Sequence, residues 1–505
     1  MRAADDAVLS AVSISGQSED PMRGRRRSLL AAVILAAGAL APTAMHSAAS
    51  AWGGGTTSGC ANSGCTTPYA VALPVPQVMT PTSTDATTDY YTVTEQNANM
   101  SVIPGKTTPM WTYNGTWPGP LIRATSGRQV KIHVANNLNI PTTLHNHGAH
   151  VSPASDGGPT DTFTTGMTKD YTFPNNQSAR TQWFHDHAKD TTGRDVYMGL
   201  AGLYEITDAQ EKSFNLPSGA QDVPLMLQDR KFNADGTLNY TLDSSSYRDG
   251  FLGDTQFVNG AAQPYFKVEA RKYRFRILNG ANARYYNLSL SNGQAMQQIA
   301  NEAGFLSKPY SMSTIQLAPG QRAEVVVDFS KVPVGTSLTL NNGSGWNSSA
   351  GGLMRFDVVK ATSTDTSTVP TTLRPFTPLP ASDVSVRRTF QIDQNNGMWT
   401  FNGQGYDPQR VDANVALNAT EEWTFDNRSG QDHPIHLHDI NFHVVNESWQ
   451  TPTGPDTEWK ETINVPSWSS VTIRVKFTDY TGIFPFHCHI LEHEDNMLMG
   501  QFKVS

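Results

Sequence analysis

The stretch Val471-Thr472-Ile473-Arg474-Val475-Lys476-Phe477 decides the fold. Branched and aromatic residues alternate with polar ones at a period of two. Successive side chains of a strand point to opposite faces, so this segment reads as a strand with one face on a core. Val130, Ile132 and Val134, alternating with Lys131 and His133, repeat the pattern far earlier in the chain. No convincing long amphipathic helix competes with these segments. Forty glycines and thirty prolines, with many Thr, Ser and Asn, supply the turns that short strands need. The sequence predicts an all-β protein built of sandwiches.

Working outward, the order of elements repeats. In the first third, a strand around residues 131–135 runs into Asn136-Asn137, then Leu144-His145-Asn146-His147-Gly148, and later Gln182-Trp183-Phe184-His185-Asp186-His187. In the last third, Glu422-Trp423-Thr424-Phe425 runs into Asp426-Asn427, then His433-Pro434-Ile435-His436-Leu437-His438, and later Phe486-His487-Cys488-His489. This is one domain used twice. The middle third has a comparable strand at 273–278, Asn279-Gly280 after it, then Arg284-Tyr285-Tyr286 without histidines, and Ala318-Pro319-Gly320 leading into Val325-Val326-Val327. It reads as the same sandwich without metal, serving as a spacer. A length of 505 residues suits three domains.

All but four of the 14 histidines fall in four clusters: His145/His147, His185/His187, His433/His436/His438 and His487/His489/His493. Residues two apart on a strand share a face, so each H-x-H aims two imidazoles at one place. A single such pair is usually two half-exposed side chains, but four clusters with a cysteine among them point to metal. His46, His133, His150 and His443 carry no such pattern. Alternation throws Cys488 to one side and both flanking histidines to the other. A thiolate with two imidazoles is the equatorial set of a blue copper electron-transfer site, which Cys488, His493 and His433 would supply. His487 and His489 then reach a second site, and the backbone between them is a short covalent path for electrons. One site takes electrons singly and the other collects them, an arrangement suited to reducing O2.

The motifs H-x-H-G, H-x-H, H-P-x-H-x-H and H-C-H-x-x-x-H, in this order, resemble the copper-binding signatures of the multicopper oxidases, the family of laccases, bilirubin oxidases, spore-coat laccases and cuprous oxidases. The resemblance covers roughly residues 88–505. It implies three consecutive cupredoxin-like Greek-key β-sandwich domains: 89–210 with half of a trinuclear site, 211–365 as a metal-free spacer, and 366–505 with the type 1 copper and the other half. It further implies four coppers per chain. His433, Cys488 and His493 would hold the type 1 copper, and His145 and His436 the type 2. His147, His185, His187, His438, His487 and His489 would hold the type 3 pair. One position departs from the pattern of many bacterial members: Leu498 stands where they place an axial methionine, with Met497 and Met499 on either side. Loss of that donor favours Cu(I) and raises the reduction potential. Glu494 matches an acid that relays protons beside the type 3 coppers, and Asp156, in Ser155-Asp156-Gly157-Gly158-Pro159, an acid near the type 2 copper. Four electrons need four protons, so acids near the cluster are chemically required.

Composition narrows the partners. Charged residues make up only 16% of the chain, and Asp plus Glu outnumber Lys plus Arg, 45 to 37, for a net charge of −8; a nucleic-acid binder leans the other way. Three cysteines exclude a disulfide-dense scaffold. The apolar run at 29–40 is too short to span a membrane. With Arg25-Arg26-Arg27-Ser28-Leu29-Leu30 before it and Ala49-Ser50-Ala51 after, it reads as an export signal over 1–51 of the twin-arginine kind, leading to a periplasmic, cell-surface or secreted protein. Four acidic residues precede Met22, which is the better start for such a signal. Residues 52–88 form a Gly-, Thr-, Ser- and Pro-rich flexible leader, in which Cys60 and Cys65 either close a small disulfide loop or remain free thiols. Oligomeric state is not encoded in any motif.

The partners implied are a small-molecule electron donor and O2. A phenol, an aryl amine or a bilirubin-like tetrapyrrole is the first reading, supported by the stretch from Asn396-Gly397-Met398-Trp399 to Asp407-Pro408, which resembles three-domain bacterial laccases and bilirubin-oxidase-like members. A metallo-oxidase acting on Cu(I) or another metal ion is the alternative. The 15 methionines are scattered rather than gathered in a Met-rich insertion, which disfavours it. A cupredoxin electron carrier without turnover would leave the remaining cluster histidines without purpose, and two-domain copper nitrite reductases complete their ligand set only between subunits.

Overall fold

The structure, a computed structural model, describes residues 66–362 and 364–505. The export signal, Cys60 and Cys65 lie outside the described residues. The strand at the opening of the sequence reading forms as Ser470–Lys476, and its branched residues Val471, Ile473 and Val475 are fully buried against Trp423 and Phe425. Val130, Ile132 and Val134 do the same in Gln129–Asn136, with Tyr91, Tyr171 and Phe173 around them. Six sheets pack as three sandwiches drawn from successive stretches of chain, with a separate hydrophobic core inside each.

The repeat is visible in strand pairing. The first sandwich pairs Thr88–Met100 in parallel with Gln129–Asn136, and Gly119–Thr125 in parallel with Ala201–Thr207. The third repeats both features, pairing Val384–Asn395 with Thr420–Asn427 and Ala413–Val415 with Met499–Val504. The second has the same two parallel pairs, Asp222–Arg230 with Lys272–Asn279 and Tyr265–Ala270 with Gly351–Ala361. These parallel contacts need crossovers between the two layers, which gives each unit its Greek-key character. The longest helix among the described residues is Thr192–Met198, and no helix is long and apolar enough to cross a membrane.

The described part of the leader is hydrogen-bonded to two sandwiches. Leu73 N donates to Tyr265 O at 2.7 Å and Tyr265 N to Val71 O at 2.9 Å, on the second sandwich. Met79 N donates to Leu121 O at 2.8 Å and Leu121 N to Gln77 O at 3.0 Å, on the first. Composition reads these residues as loop, whereas backbone hydrogen bonds, which are indifferent to side-chain identity, tie them down as a strap across two sandwiches.

The histidine motifs sit on paired strands. His145–His147 runs antiparallel to Arg180–His185, with His145 opposite His185 and His147 opposite Trp183. His433–Leu437 runs antiparallel to Gly482–Cys488, with His436 opposite His487 and Ile435 opposite Cys488. After Cys488 the short helix Leu491–Asp495 reverses the chain, which returns His493 to the side of Cys488.

Candidate metal centre

The two paired-strand motifs meet face to face between the first and third sandwiches. The His145 ring stacks on His438 at 3.9 Å between centroids, and His147 on His436 at 3.7 Å. All eight histidines here are buried. Their ring nitrogens converge in three groups: His145, His147 and His436; His147, His185 and His489; and His187, His438 and His487. In the last group the three Nε2 atoms stand 3.2 Å from one another. In the second, His489 Nε2 lies 3.2 Å from His147 Nδ1. A separate buried group lies on the far side of the His487-Cys488-His489 backbone. Cys488 Sγ is 3.6 Å from His433 Nδ1 and 3.7 Å from His493 Nδ1, and those two nitrogens are 3.2 Å apart. Strand alternation is the cause: Cys488 faces one group, and its two neighbours face the other.

Three multicopper oxidase family domains match residues 93–211, 194–350 and 380–505. A laccase of Haloferax volcanii is 35% identical, with 86% of this chain and 84% of that protein covered. A bilirubin oxidase of Albifimbria verrucaria is 33% identical over 86% of this chain and 81% of its own length. Among solved structures, a laccase of Pediococcus acidilactici superposes with a TM-score of 0.82 at 31% identity, covering 88% of this chain and 95% of that one. The chain belongs to the multicopper oxidase family. It is a copper oxidoreductase that uses O2, on a fold of cupredoxin-like sandwiches.

The residues of this multicopper oxidase fit copper on independent grounds. His145, His185 and His436 each have an Nε2 that is buried with no hydrogen-bond partner. Buried polar atoms are rarely left so, and an orphan in each of three converging rings calls for a ligand. The opposite nitrogens are fixed: His145 Nδ1 donates to Asp156 O at 2.7 Å, His185 Nδ1 to Asp186 O at 2.7 Å, and His436 Nδ1 to Glu461 O at 3.0 Å. A carbonyl only accepts, so each ring is held with its proton on Nδ1 and its lone pair toward the cluster. Beside Cys488 the arrangement is reversed. His493 Nε2 donates to Arg248 O at 3.0 Å and His433 Nε2 lies 3.0 Å from Ser429 Oγ, so both Nδ1 atoms face the sulfur.

Electrostatics act in the same direction. Burial, then neighbouring rings, pushes His147, His185, His436 and His438 well below the ordinary imidazole range, and burial and the partner ring do the same to His433. Neutral imidazoles are what a metal needs. Burial drives the Cys488 thiol well above its usual value, so the thiolate requires a cation beside it.

Both predicted acids reach the cluster. Glu494 lies between two rings of one group, with Oε1 3.1 Å from His187 Nδ1 and Oε2 3.0 Å from His487 Nδ1, and Oε1 also accepts from Thr192 Oγ1 at 2.7 Å. Asp156 touches more than the sequence predicts. Its carbonyl holds His145, while its Oδ2 lies 2.9 Å from His438 Nδ1. Of the other histidines, His133 lies at the surface 2.6 Å from Asp170, and neither His150 nor His443 joins a cluster; His46 is outside the described residues.

Several supporting residues escape sequence reading. Glu461 lies 2.9 Å from His147 Nε2 and forms a buried ion pair with Arg322 of the second sandwich. Gly320 has φ +81°, and a Cβ there would meet the His489 ring at 2.7 Å. Gly148 explains the last letter of H-x-H-G, since a Cβ there would stand 2.3 Å from Glu461 Oε2. Arg248 and Trp399 enclose the Cys488 group, the indole lying 4.6 Å from His433 and 4.7 Å from His493 between centroids. The middle sandwich is therefore more than a spacer. Among the described residues it supplies no metal-binding group, yet it braces both centres. Met499 pairs with His487 across the strands and shares its face, while Leu498 is fully buried in the core cluster that contains Cys488.

Proposed function

We propose that this oxidase is laccase-like: it takes single electrons from a phenolic, aryl-amine or bilirubin-like donor at a type 1 centre and reduces O2 to two H2O at a trinuclear centre. In this reading four coppers are held, type 1 by His433, Cys488 and His493, type 2 by His145 and His436, and the type 3 pair by His147, His185 and His489 on one side and His187, His438 and His487 on the other. When bound, the coppers supply one-electron acceptance at the sulfur centre and a four-electron store for O2. The observation that carries the reading is the division of one tripeptide: Cys488 belongs to the outer centre and its two neighbours to different halves of the inner one.

The protein's own groups do the rest. The two peptide links flanking Cys488 connect the centres through covalent bonds, so an electron need not cross solvent. Glu494, within 3.1 Å of His187 and His487, delivers protons in this reading, and Asp156 holds His438, the third ring of that group. Burial keeps bulk water from the rings. Exposed aromatics favour an aromatic donor. Trp468 is 73% exposed, and its backbone N–H donates to Ser429 O, on the residue that contacts His433. Tyr247 is 40% exposed, and its carbonyl accepts from the Trp399 indole that packs on both type 1 rings.

The test is copper content, visible spectrum and oxygen uptake on one copper-loaded sample with a simple phenol. About four coppers, intense blue absorption and O2 consumption without peroxide support the reading. One copper with the blue colour but no uptake sinks it in favour of an electron carrier. Uptake driven by Cu(I) and by no phenol or aryl amine moves the substrate to metal ions.

A further inference from the structure

A cavity of about 390 Å3 opens where the three sandwiches meet, away from the Cys488 centre. The first sandwich contributes Arg180, the second Phe305 and the third Trp459, while Arg374 and Phe376 come from the segment joining the second to the third. We propose that this cavity is a second small-molecule site, separate from the donor site, and that it takes an aromatic carboxylate.

Arg180 is buried, with a relative exposure of 6%, and every group it touches is neutral. Its Nε donates to Ser178 O at 3.0 Å, its Nη1 to Asn441 Oδ1 at 3.2 Å and its Nη2 to Ser178 Oγ at 3.1 Å. Among the described residues no carboxylate pairs with it. A buried cation without a counter-ion is expensive, and a bound anion removes that penalty. Burial brings its pKa down to about 10, with the more distant Glu461 and Asp208 opposing the fall and Arg322 and Arg374 adding to it, so it stays charged at neutral pH. Arg374 is the second half of the clamp. Its Nη2 donates to Asp208 at 2.7 Å and its Nε to Gln210 at 3.0 Å, but its Nη1 is buried without a partner. Two guanidinium groups thus bring unused N–H donors to one cavity, the planar fork geometry that carboxylates match.

The wall carries one carboxylate, Glu458, and its oxygens are already engaged. They accept from Ser307 N at 2.7 Å, Ser307 Oγ at 2.6 Å and Tyr310 OH at 3.0 Å. Lys476 adds a further positive charge at the rim. Three aromatic side chains, with Pro375 and Leu379, supply the apolar surface. Phe376 and Trp459 meet edge to face at 5.7 Å, and Phe305 lies 5.8 Å from the Arg374 guanidinium carbon. An inorganic anion uses none of this surface, whereas one or two fused rings fill it. The volume falls within the usual range of ligand cavities. An occupant touches all three sandwiches at once, so binding must stabilise their docking by mass action.

The probe is 2-naphthoate, which lacks a phenol and so cannot act as the proposed donor, with neutral 2-naphthamide as control. Calorimetry and thermal unfolding on the copper-loaded protein should show one naphthoate bound per chain, a raised melting temperature and at least tenfold weaker binding of the amide. Arg374→Gln should weaken naphthoate at least tenfold and leave phenol-driven oxygen uptake unchanged, and Phe376→Ala should weaken it without touching a charge. Naphthoate should leave the KM for the phenol unaltered. No binding at millimolar naphthoate, equal binding of the amide, phosphate binding as tightly as naphthoate, indifference to Arg374→Gln, or competition with the phenol each overturn the proposal. The binding measurements do not require turnover, so they stand or fall independently of the donor assignment.

Discussion

Replacing Glu461 by glutamine tests how the middle sandwich supports the inner centre. Arg322 is 1% exposed, and Glu461, also 1% exposed, is its one charged partner among the described residues. The other contacts of the guanidinium are the carbonyls of Thr181, Gly320 and Glu302. Glutamine keeps the shape and removes the charge, leaving Arg322 buried and uncompensated. Breaking a buried pair from one side costs about 3–5 kcal/mol. For a chain of this length an entropy of unfolding near 2 cal/mol/K per residue makes each kcal/mol worth roughly 1 °C, so melting of the copper-free protein should fall by about 3–5 °C. Glu461 also lies 2.9 Å from His147 Nε2, so its charge holds that ring and supports its binding nitrogen. Loss of such a support typically lowers metal affinity or activity by about 10–100-fold. Calorimetry of the copper-free variant reads the first effect, and copper retained against a graded chelator reads the second. The double replacement Arg322→Met with Glu461→Leu separates them. It should restore most of the melting temperature, since apolar groups can replace a buried pair nearly neutrally, yet it should not restore copper retention. A single variant that melts within a degree of the parent and holds copper equally well would refute the reasoning.

Other outcomes follow from the same geometry. Glu494→Gln should slow oxygen-dependent turnover by about 10²-fold or more, the usual weight of a positioned proton donor. Anaerobic bleaching of the blue colour by a phenol should keep its rate, and full aerobic turnover would remove Glu494 from proton delivery. Leu498→Met should lower the type 1 reduction potential by roughly 60 mV, the shift of a tenfold change in preference between oxidation states; an unchanged or raised potential in a redox titration would mean that position 498 does not face the sulfur. Burial lifts the pKa of Glu95 to about 8, with Thr142 Oγ1 donating to one oxygen and the other left without a partner. The folded state therefore holds that proton more tightly than the unfolded chain, and its contribution is complete below about pH 4.5 and is lost as pH rises through 8. Glu95→Gln should flatten the decline of melting temperature between pH 5 and 9, and an unaltered slope would count against a protonated Glu95.

What could be read in sequence was whatever strand periodicity determines. The splitting of His487, Cys488 and His489 follows from alternation alone, and so does the burial of Val471, Ile473 and Val475. The proximity of the first and third sandwiches required the family resemblance, because no local rule brings His145 onto His438. Glu461 and Arg322 lie 139 positions apart, one just before the strand Thr462–Val465 and the other opening the strand Arg322–Asp328, so only the tertiary contact reveals their pairing. The same holds for the backbone carbonyl of Arg248, which has no side-chain signature at all. The leader misled in the opposite sense, since loop-like composition conceals ladder hydrogen bonds made entirely by main chain.

The arrangement of the inner centre also fixes when it can come into being during synthesis. Half of its imidazoles come from the first sandwich and half from the third, and His487 and His489 follow almost everything else in the chain. A growing polypeptide that has finished the first two sandwiches owns four of the eight rings and none of the sulfur centre. Its four rings are half of the inner set, and the sulfur centre that would feed them electrons does not yet exist, so the complete reduction of oxygen is out of its reach. Competence for the reaction thus arrives in one step, when the last strands close.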